Sequence, residues 1–251
     1  MIKTVLTENS DGKFIVIEND TLGQHLLRGE LWEPHFKKIA ETILCPGDTA
    51  IDVGANIGYN SVIMGKLTGD LGRVYAFEPL RITFQELCGN IIINGLDNVF
   101  TENVAIGHVD NVTISMVAVD YNEKDINIMN SCVGSGGDIV KMRTLDSYAF
   151  DKVKFLKVDV QGCELAVLKG SRETLSRCRP VVFIEIEEDQ LKNQNTSSEA
   201  VMFELMSQGY DLLWNDQLSL FDWVGVPIEN PEILELVKAS MGESCQLFRH
   251  P

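Results

Sequence analysis

Ile51-Asp52-Val53-Gly54-Ala55-Asn56-Ile57-Gly58 carries an apolar run directly into a glycine-bracketed turn, with a helix expected from about Gly58. In an open α/β sheet, ligands bind beside turns of this kind at the carboxyl ends of strands. Gly54 and Gly58 permit backbone angles that other residues avoid, and neither puts a Cβ in a ligand's way. The dinucleotide fingerprint Gly-x-Gly-x-x-Gly is broken, because Asn56 and Tyr59 stand at its second and third glycine positions. A pyrophosphate would lose close approach to the backbone and tight helix packing, which counts against a hydride-transferring enzyme. Glu78 closes the next apolar run, Arg73-Val74-Tyr75-Ala76-Phe77, and points instead to a ribose, because one carboxylate can accept from both ribose hydroxyls. Taken singly, the turn also fits a plain strand-to-helix junction, and Glu78 an exposed acid before Pro79.

Strand and helix signals alternate on both sides of this turn, which predicts βαβ units and a mainly parallel sheet. Strands are expected at Ala50–Val53, Arg73–Phe77, Asn98–Asn103, Phe155–Asp159 and Val181–Ile186, with helices over about Leu80–Asn94, Cys163–Lys169 and Ser198–Gln208. Final strands are expected at Tyr210–Trp214, Leu218–Trp223 and Gln246–Arg249. The stretch from Gly107 to Tyr148, with a strand-like Val112–Val119 and glycines at 134, 136 and 137, reads as an insertion with its own β-structure. Before the turn, Ile2–Leu6 and Phe14–Glu18 flank Ser10-Asp11-Gly12 as a hairpin, and Glu30–Leu44 has near-helical apolar spacing. The expected division is a cap over residues 1–44 and a larger domain over 45–251, with the β-rich insertion near 107–148.

The chain has 251 residues, 45% hydrophobic and 23% charged, which suits one globular domain with a small appendage. Its formal charge of −16 repels phosphate backbones and counts against a nucleic-acid partner. Lys152, Lys154 and Lys157, and then Arg172, Arg177 and Arg179, come nearest to a basic patch; both groups read as solvated rims of a strand and a helix. The six scattered cysteines (Cys45, Cys88, Cys132, Cys163, Cys178, Cys245) read as reduced core thiols, not as a zinc site or disulfide frame. MIKTVLTENSDGK lacks the apolar core of a signal peptide, and no run nears the roughly 18 apolar residues of a membrane span, so a cytoplasmic protein is expected.

Five ordered blocks, DTAIDVGANIGYNS, VYAFEP, ENVAIG, FLKVDVQGCELAVLKG and VVFIEI, resemble the class I methyltransferases and more narrowly the FkbM family. The resemblance covers about Trp32 to Ile186. It implies an α/β, Rossmann-like class I methyltransferase sheet, mainly parallel with an antiparallel final strand, behind a small N-terminal hairpin and helix extension. It also implies S-adenosyl-L-methionine as cofactor. On that likeness Asp52, Gly54, Ala55, Asn56 and Gly58 surround the methionine part, Glu78 with Pro79 meets the ribose, and Asn103 and Val104 flank the adenine. Glu33, in LWEPHF, matches a glutamate that such proteins often carry upstream of the turn; it either closes over the cofactor's amino group or is a helix-start acid. Trp32 beside it is the better aromatic candidate for a cofactor or acceptor wall, whereas Tyr210, Trp214 and Trp223 read as core.

Methyl transfer to a hydroxyl requires alignment of the reacting atoms and removal of a proton. Asp159 and Glu185, near the carboxyl ends of their strands, are the expected acceptor-binding or basic groups, with helix capping as the other role open to Asp159. Of the histidines, His25, His35, His108 and His250 show no paired spacing, and His108 alone could reach the cleft from sequence position. The family's Asp-x-Glu-Gly stands here as Asp159-Val160-Gln161-Gly162. Gln161 cannot be a base or an anionic metal ligand, so no metal is expected, but it can bond a sugar hydroxyl. The acceptor implied is a small molecule or glycan. A polyketide or lipid hydroxyl, an amine, or a catalytically silent cofactor-binding module are the alternatives.

Overall fold

The chain opens with a hairpin, β1 (Thr4–Asn9) and β2 (Gly12–Ile17), then helices α1 (Thr21–Leu27) and α2 (Pro34–Ile43). The computed structural model describes residues 2–121, 123–127 and 133–249. Next come β3 (Thr49–Val53), α3 (Tyr59–Thr68), β4 (Arg73–Phe77), α4 (Arg81–Ile93) and β5 (Val99–Glu102). Strands β6 (Val104–Ile106), β7 (Val112–Val117) and β8 (Gly136–Arg143) form a separate sheet ordered β6-β8-β7; β7 and β8 fall within Gly107–Tyr148, and β6 lies before it. The remainder is β9 (Phe155–Val158), α5 (Glu164–Lys169), α6 (Arg172–Cys178), β10 (Val181–Glu185), α7 (Glu188–Asn193), α8 (Ser198–Ser207), β11 (Tyr210–Trp214), β12 (Asp222–Pro227), α9 (Pro231–Met241) and β13 (Gln246–Phe248).

The main sheet is ordered β13-β11-β12-β10-β9-β3-β4-β5. Strands β5, β4, β3, β9 and β10 run parallel, and β12 enters antiparallel between β10 and β11. The chain reverses its direction of travel across the sheet between β3 and β9, and such a switch point opens a crevice at the carboxyl ends of the two strands. Side chains alternate between two buried faces. Ala50, Phe155 and Phe183 join α2, α3, α4 and α9 in one apolar cluster, while Ile51, Val53, Leu156 and Val158 join α5, α6, α7 and α8 in the other. The period of two therefore sends Asp52, Lys157 and Asp159 to the α2–α3 face.

The N-terminal residues share the first cluster through Phe14, Val16, Leu22 and Phe36. Two asparagines one turn apart, Asn90 on α4 and Asn94 at its C-cap, take the place of a second neighbouring strand along β2. Asn90 accepts from Ile15 N at 2.6 Å and donates to Ile15 O at 3.1 Å, and Asn94 accepts from Lys13 N at 3.0 Å and donates to Lys13 O at 2.7 Å. The hairpin turn is tied in by Asp11, which accepts from Tyr59 Oη and Lys37 Nζ, each at 2.5 Å.

Several expectations need correction. The helix expected over Glu30–Leu44 starts at Pro34, whose ring suits a first helical turn, and Thr21–Leu27 is a separate helix capped by the Asp20 side chain. The strand expected at Leu218–Trp223 lies at Asp222–Pro227; Leu218, Leu220 and Phe221 stay exposed, because the buried pairing belongs to Val224 and Val226. Lys157 is not on a solvated rim but only 2% exposed, as a residue between two parallel neighbours must be. Nor are the thiols core residues: Cys45 is exposed and Cys88, Cys163, Cys178 and Cys245 are half-buried, with no disulfide among the described residues, while Cys132 lies outside them.

Candidate active site

The turn after β3 is pinned from both sides. Gly54 N and Ala55 N both donate to Phe77 O at 3.0 Å, and Asp159 N donates to Val53 O at 3.0 Å. Gly54 has φ +80°, and a Cβ there would lie 1.8 Å from Asp159 O. The glycine is thus required by the neighbouring strand's backbone, a closer constraint than room for a ligand. Gly58, at φ +86°, faces Leu87 Cδ1 in the same sense, 2.5 Å from a built Cβ.

Glu78 is buried at the end of β4 with its carboxylate aimed by two backbone donors, Asn56 N at 2.9 Å and Leu80 N at 2.8 Å. Burial pushes its pKa up to about 7 against the pull of those two bonds. The carboxylate opens on a cleft of about 670 Å³ whose other walls include Val104, Ile106 and Met116 from the three-stranded sheet. Asn103 is exposed; its amide donates to Glu78 O at 2.8 Å and Pro79 O at 2.9 Å, so it shapes the loop that carries Glu78.

A second cavity of about 760 Å³ shares Gly54, Asn56, Asp159 and Gln161 with the first and extends past Trp32 and Glu33 to Glu185. Glu33 precedes α2 with φ 44° and makes no side-chain cap; its carboxylate accepts from Asn60 Nδ2 at 2.8 Å instead, which separates it from a helix-start acid. Its pKa is raised, by burial first and then by Asp222 and Asp159, with Lys157 opposing. Glu33, Asn56 (φ 51°) and Gln161 (φ 56°) are non-glycine residues held in the left-handed region, a costly conformation that folds tend to retain at functional positions.

Lys157 occupies the floor. Its Nζ lies 3.6 Å from Asp52 Oδ1 and 3.2 Å from Asp159 Oδ2, and it donates to Gly54 O at 3.5 Å. Asp52 also accepts from Ser61 Oγ at 2.6 Å and, fully buried, supports the turn from beneath. Asp159 does not cap α5, whose start has no side-chain cap. Burial opposes its charge, but Lys157 and the Gln161 amide outweigh that and hold its carboxyl below the usual range. Glu185 behaves oppositely: burial, then the negative charges of Asp159 and Asp222, raise it well above an ordinary glutamate. Gln161 Nε2 bridges the two, 2.8 Å from Asp159 Oδ1 and 2.8 Å from Glu185 Oε2.

Sequence reading missed the Lys157 floor, Asn60, and the His35–Asp222 pair, whose Nε2 and Oδ2 are 2.7 Å apart. The pair joins residues far apart in the chain, which no spacing rule reveals; Lys157 was accessible from the central position of its strand. His108 is exposed and not part of the cleft walls described above, and His250 lies outside the described residues.

The buried carboxyls carry a pH dependence. Glu78 and Glu164 are raised to about 7 and Glu86 to about 8, in each case by burial first, from an ordinary 4.5. Because their folded values exceed the unfolded ones, the stability they contribute is complete below about pH 4.5 and is lost as pH rises through 7 to 8. Thermal melts of the free protein are expected to show a falling Tm from about pH 5 to about pH 8. A Tm that rises across that window would contradict the burial of these groups.

Against known proteins, the model described as the methyltransferase FkbM domain matches residues 52–212. Among solved structures, the methyltransferase FkbM from Methylobacillus flagellatus KT is similar at a TM-score of 0.50 and 16% identity, covering 81% of this chain and 59% of that one. The SAM-dependent O-methyltransferase from Thermotoga maritima is similar at a TM-score of 0.48 and 15% identity, covering 89% of this chain and 77% of that one. Fibrillarin from Aeropyrum pernix, with natively bound S-adenosyl-L-methionine, has a TM-score of 0.46 and 14% identity, covering 90% of this chain and 99% of that one. No curated protein matches the chain. Among the described residues, no helix is long and apolar enough to cross a membrane. With most of the main sheet inside the matched span, the chain belongs to the FkbM methyltransferase domain family.

Proposed function

We propose that the chain is an S-adenosylmethionine-dependent O-methyltransferase acting on a hydroxyl of a carbohydrate or glycosylated small molecule. The observation that carries the reading is Glu78, a carboxylate fixed by two N–H donors at the mouth of the first cleft, with acceptor capacity left for a ribose. The donor set fits. Apolar Val104, Ile106 and Met116 suit a purine, the Gly54–Asn56 turn lies between the two cavities, and Glu33 with Asn60 can take an amino group. When bound, S-adenosylmethionine supplies an electrophilic methyl carbon on sulfur; transfer breaks that C–S bond, forms a C–O bond and releases the hydroxyl proton.

The protein's part is to hold the acceptor and receive that proton. Asp159, ionised and clamped by Lys157 and Gln161, is suited to hold a hydroxyl in place. Glu185, whose carboxyl is raised while that of Asp159 is lowered, is the more basic of the two and the better proton acceptor. The polar second cavity favours a sugar over a polyketide or lipid hydroxyl. The same reading takes residues 1–44 as a cap that contributes Trp32 and Glu33, and the acidic surface as that of a cytoplasmic enzyme whose acceptor is not a nucleic acid.

Calorimetry with S-adenosylhomocysteine tests the donor site. Glu78→Gln is expected to weaken binding about ten- to a hundredfold, the worth of one hydrogen bond to a charged group. The parent's affinity should rise between about pH 6 and pH 8 as Glu78 ionises, and the variant's should stay flat. Unchanged affinity in Glu78→Gln would remove the ribose assignment. Labelled methyl transfer to a glycan panel separates an enzyme from a silent cofactor-binding module.

A further inference from the structure

Glu164 lines neither cavity, but it holds the turn from which Gln161 reaches both of them. It is the first residue of α5 and only 1% exposed. Its Oε1 turns back and accepts from Val160 N and Gly162 N, each at 3.1 Å. Those two donors bracket Gln161, whose φ of 56° is one that a residue with a Cβ adopts only at a cost. Within the turn, Cys163 N adds a long bond to Val160 O at 3.4 Å. The turn is also pressed against α7, because a Cβ at Gly162 would lie 2.4 Å from Gln190 O.

The conformation of Gln161 decides where its amide goes. Nε2 lies 2.8 Å from both Asp159 Oδ1 and Glu185 Oε2, and an NH₂ group has one N–H for each. We propose that Glu164 is a positioning residue for methyl transfer: by anchoring Val160 and Gly162 it fixes the Gln161 amide between Asp159 and Glu185, and so keeps the two carboxylates in register for one acceptor hydroxyl. This rests on the reading of those two as the acceptor-binding and basic groups. Without the Glu164 carboxylate, two N–H groups of a closely packed turn lose their acceptor, and folds seldom leave such groups unpaired. The turn recovers partners most cheaply by leaving the left-handed conformation at Gln161, which carries the amide away from Glu185. A carboxylate that loses a donor to its charged form holds its proton more tightly.

The test compares Glu164→Gln with Glu164→Ala in the full chain. Glutamine can offer the same Oε1 to both N–H groups, alanine offers nothing, and both are uncharged. Their difference is therefore free of the direct repulsion between Glu164 and Glu185. The other charged groups facing Glu185 are Lys157 on β9 and Asp159 at its end, Asp222 on β12 with His35 on α2, and Glu33 and Glu187 on the same cavity wall; all are common to the two variants. The readout is a carbon-13 titration of the Glu185 carboxyl, whose resonance is assigned by its loss in Glu185→Gln. Glu185 is expected to hold its proton about tenfold or more tightly in Glu164→Ala than in Glu164→Gln, the worth of one hydrogen bond to a charged group. In a Gln161→Ala background that difference should vanish, because the amide through which Glu164 acts is gone. Glu164→Leu fills the space of the lost side chain and takes the place of alanine if the alanine variant does not fold. Equal titrations in the two variants, or a difference that persists without Gln161, would each overturn the proposal, leaving Glu164 a purely structural acid. The titration needs neither cofactor nor acceptor, so a glycan panel without turnover would overturn the proposed reaction and not this result.

Discussion

Lys157→Met is expected to lower the unfolding free energy by about 3–5 kcal/mol, the usual cost of stripping one partner from a buried ion cluster. Methionine matches the stem of lysine in length and apolar character, so little of the effect would come from lost packing. The charge is what matters. Lys157 is 2% exposed and Asp52 is fully buried, with one acidic oxygen bonded to Ser61 and the other having Lys157, at 3.6 Å, as its nearest cation. Without the ammonium, the negative charges of Asp52, fully buried, and Asp159 lose the cation between them, and the cheapest response is for the buried one to take up a proton. Denaturant unfolding at pH 7 measures the loss. Adding Asp52→Asn should recover part of it, a coupling that two unrelated substitutions would not show. A loss below about 1 kcal/mol would mean that the cluster does not hold the turn.

The Lys157 floor also marks the boundary of what the sequence made legible. The parallel strands were readable because each is a short apolar run that becomes a buried layer, and Arg73–Phe77 ends in the structure where its composition ends. Glu78 and Asp159 were readable because a strand's carboxyl end in a switch-point fold is a predictable place. Lys157 was misread because a lysine between diluted charges was judged by its surface habit, when its position inside Phe155–Val158 already demanded burial. The His35–Asp222 pair and the Asn90–Asn94 clasp on β2 depend on which element packs on which, information that no local period contains. Helix α9 was legible and overlooked: Pro231 starts it, and Leu234, Val237 and Met241 recur on one buried face.

Gly54→Ala is the other large effect expected, and its comparison with Gly58→Ala isolates the cause. Both glycines lie in the left-handed region, at φ +80° and +86°, where an alanine pays roughly 1–2 kcal/mol. At Gly58 the added methyl meets the end of the Leu87 side chain at 2.5 Å, and a rotamer change can relieve the contact. At Gly54 it meets Asp159 O at 1.8 Å and Asp159 C at 2.9 Å, which belong to a backbone anchored through Asp159 N to Val53 O. Relief there means pushing apart the ends of β3 and β9, the crevice on which both cavities depend. Overpacking of this kind costs about 1–3 kcal/mol and more where nothing yields, so Gly54→Ala should lose about 3 kcal/mol or more and Gly58→Ala distinctly less. The displaced Asp159 would also leave its bond to Lys157, so the folded fraction of Gly54→Ala should bind S-adenosylhomocysteine far more weakly than Gly58→Ala does. If chemical denaturation and calorimetry found the two variants alike, left-handed strain alone would explain both glycines. The contact between the turn and the neighbouring strand would then not be what builds the site.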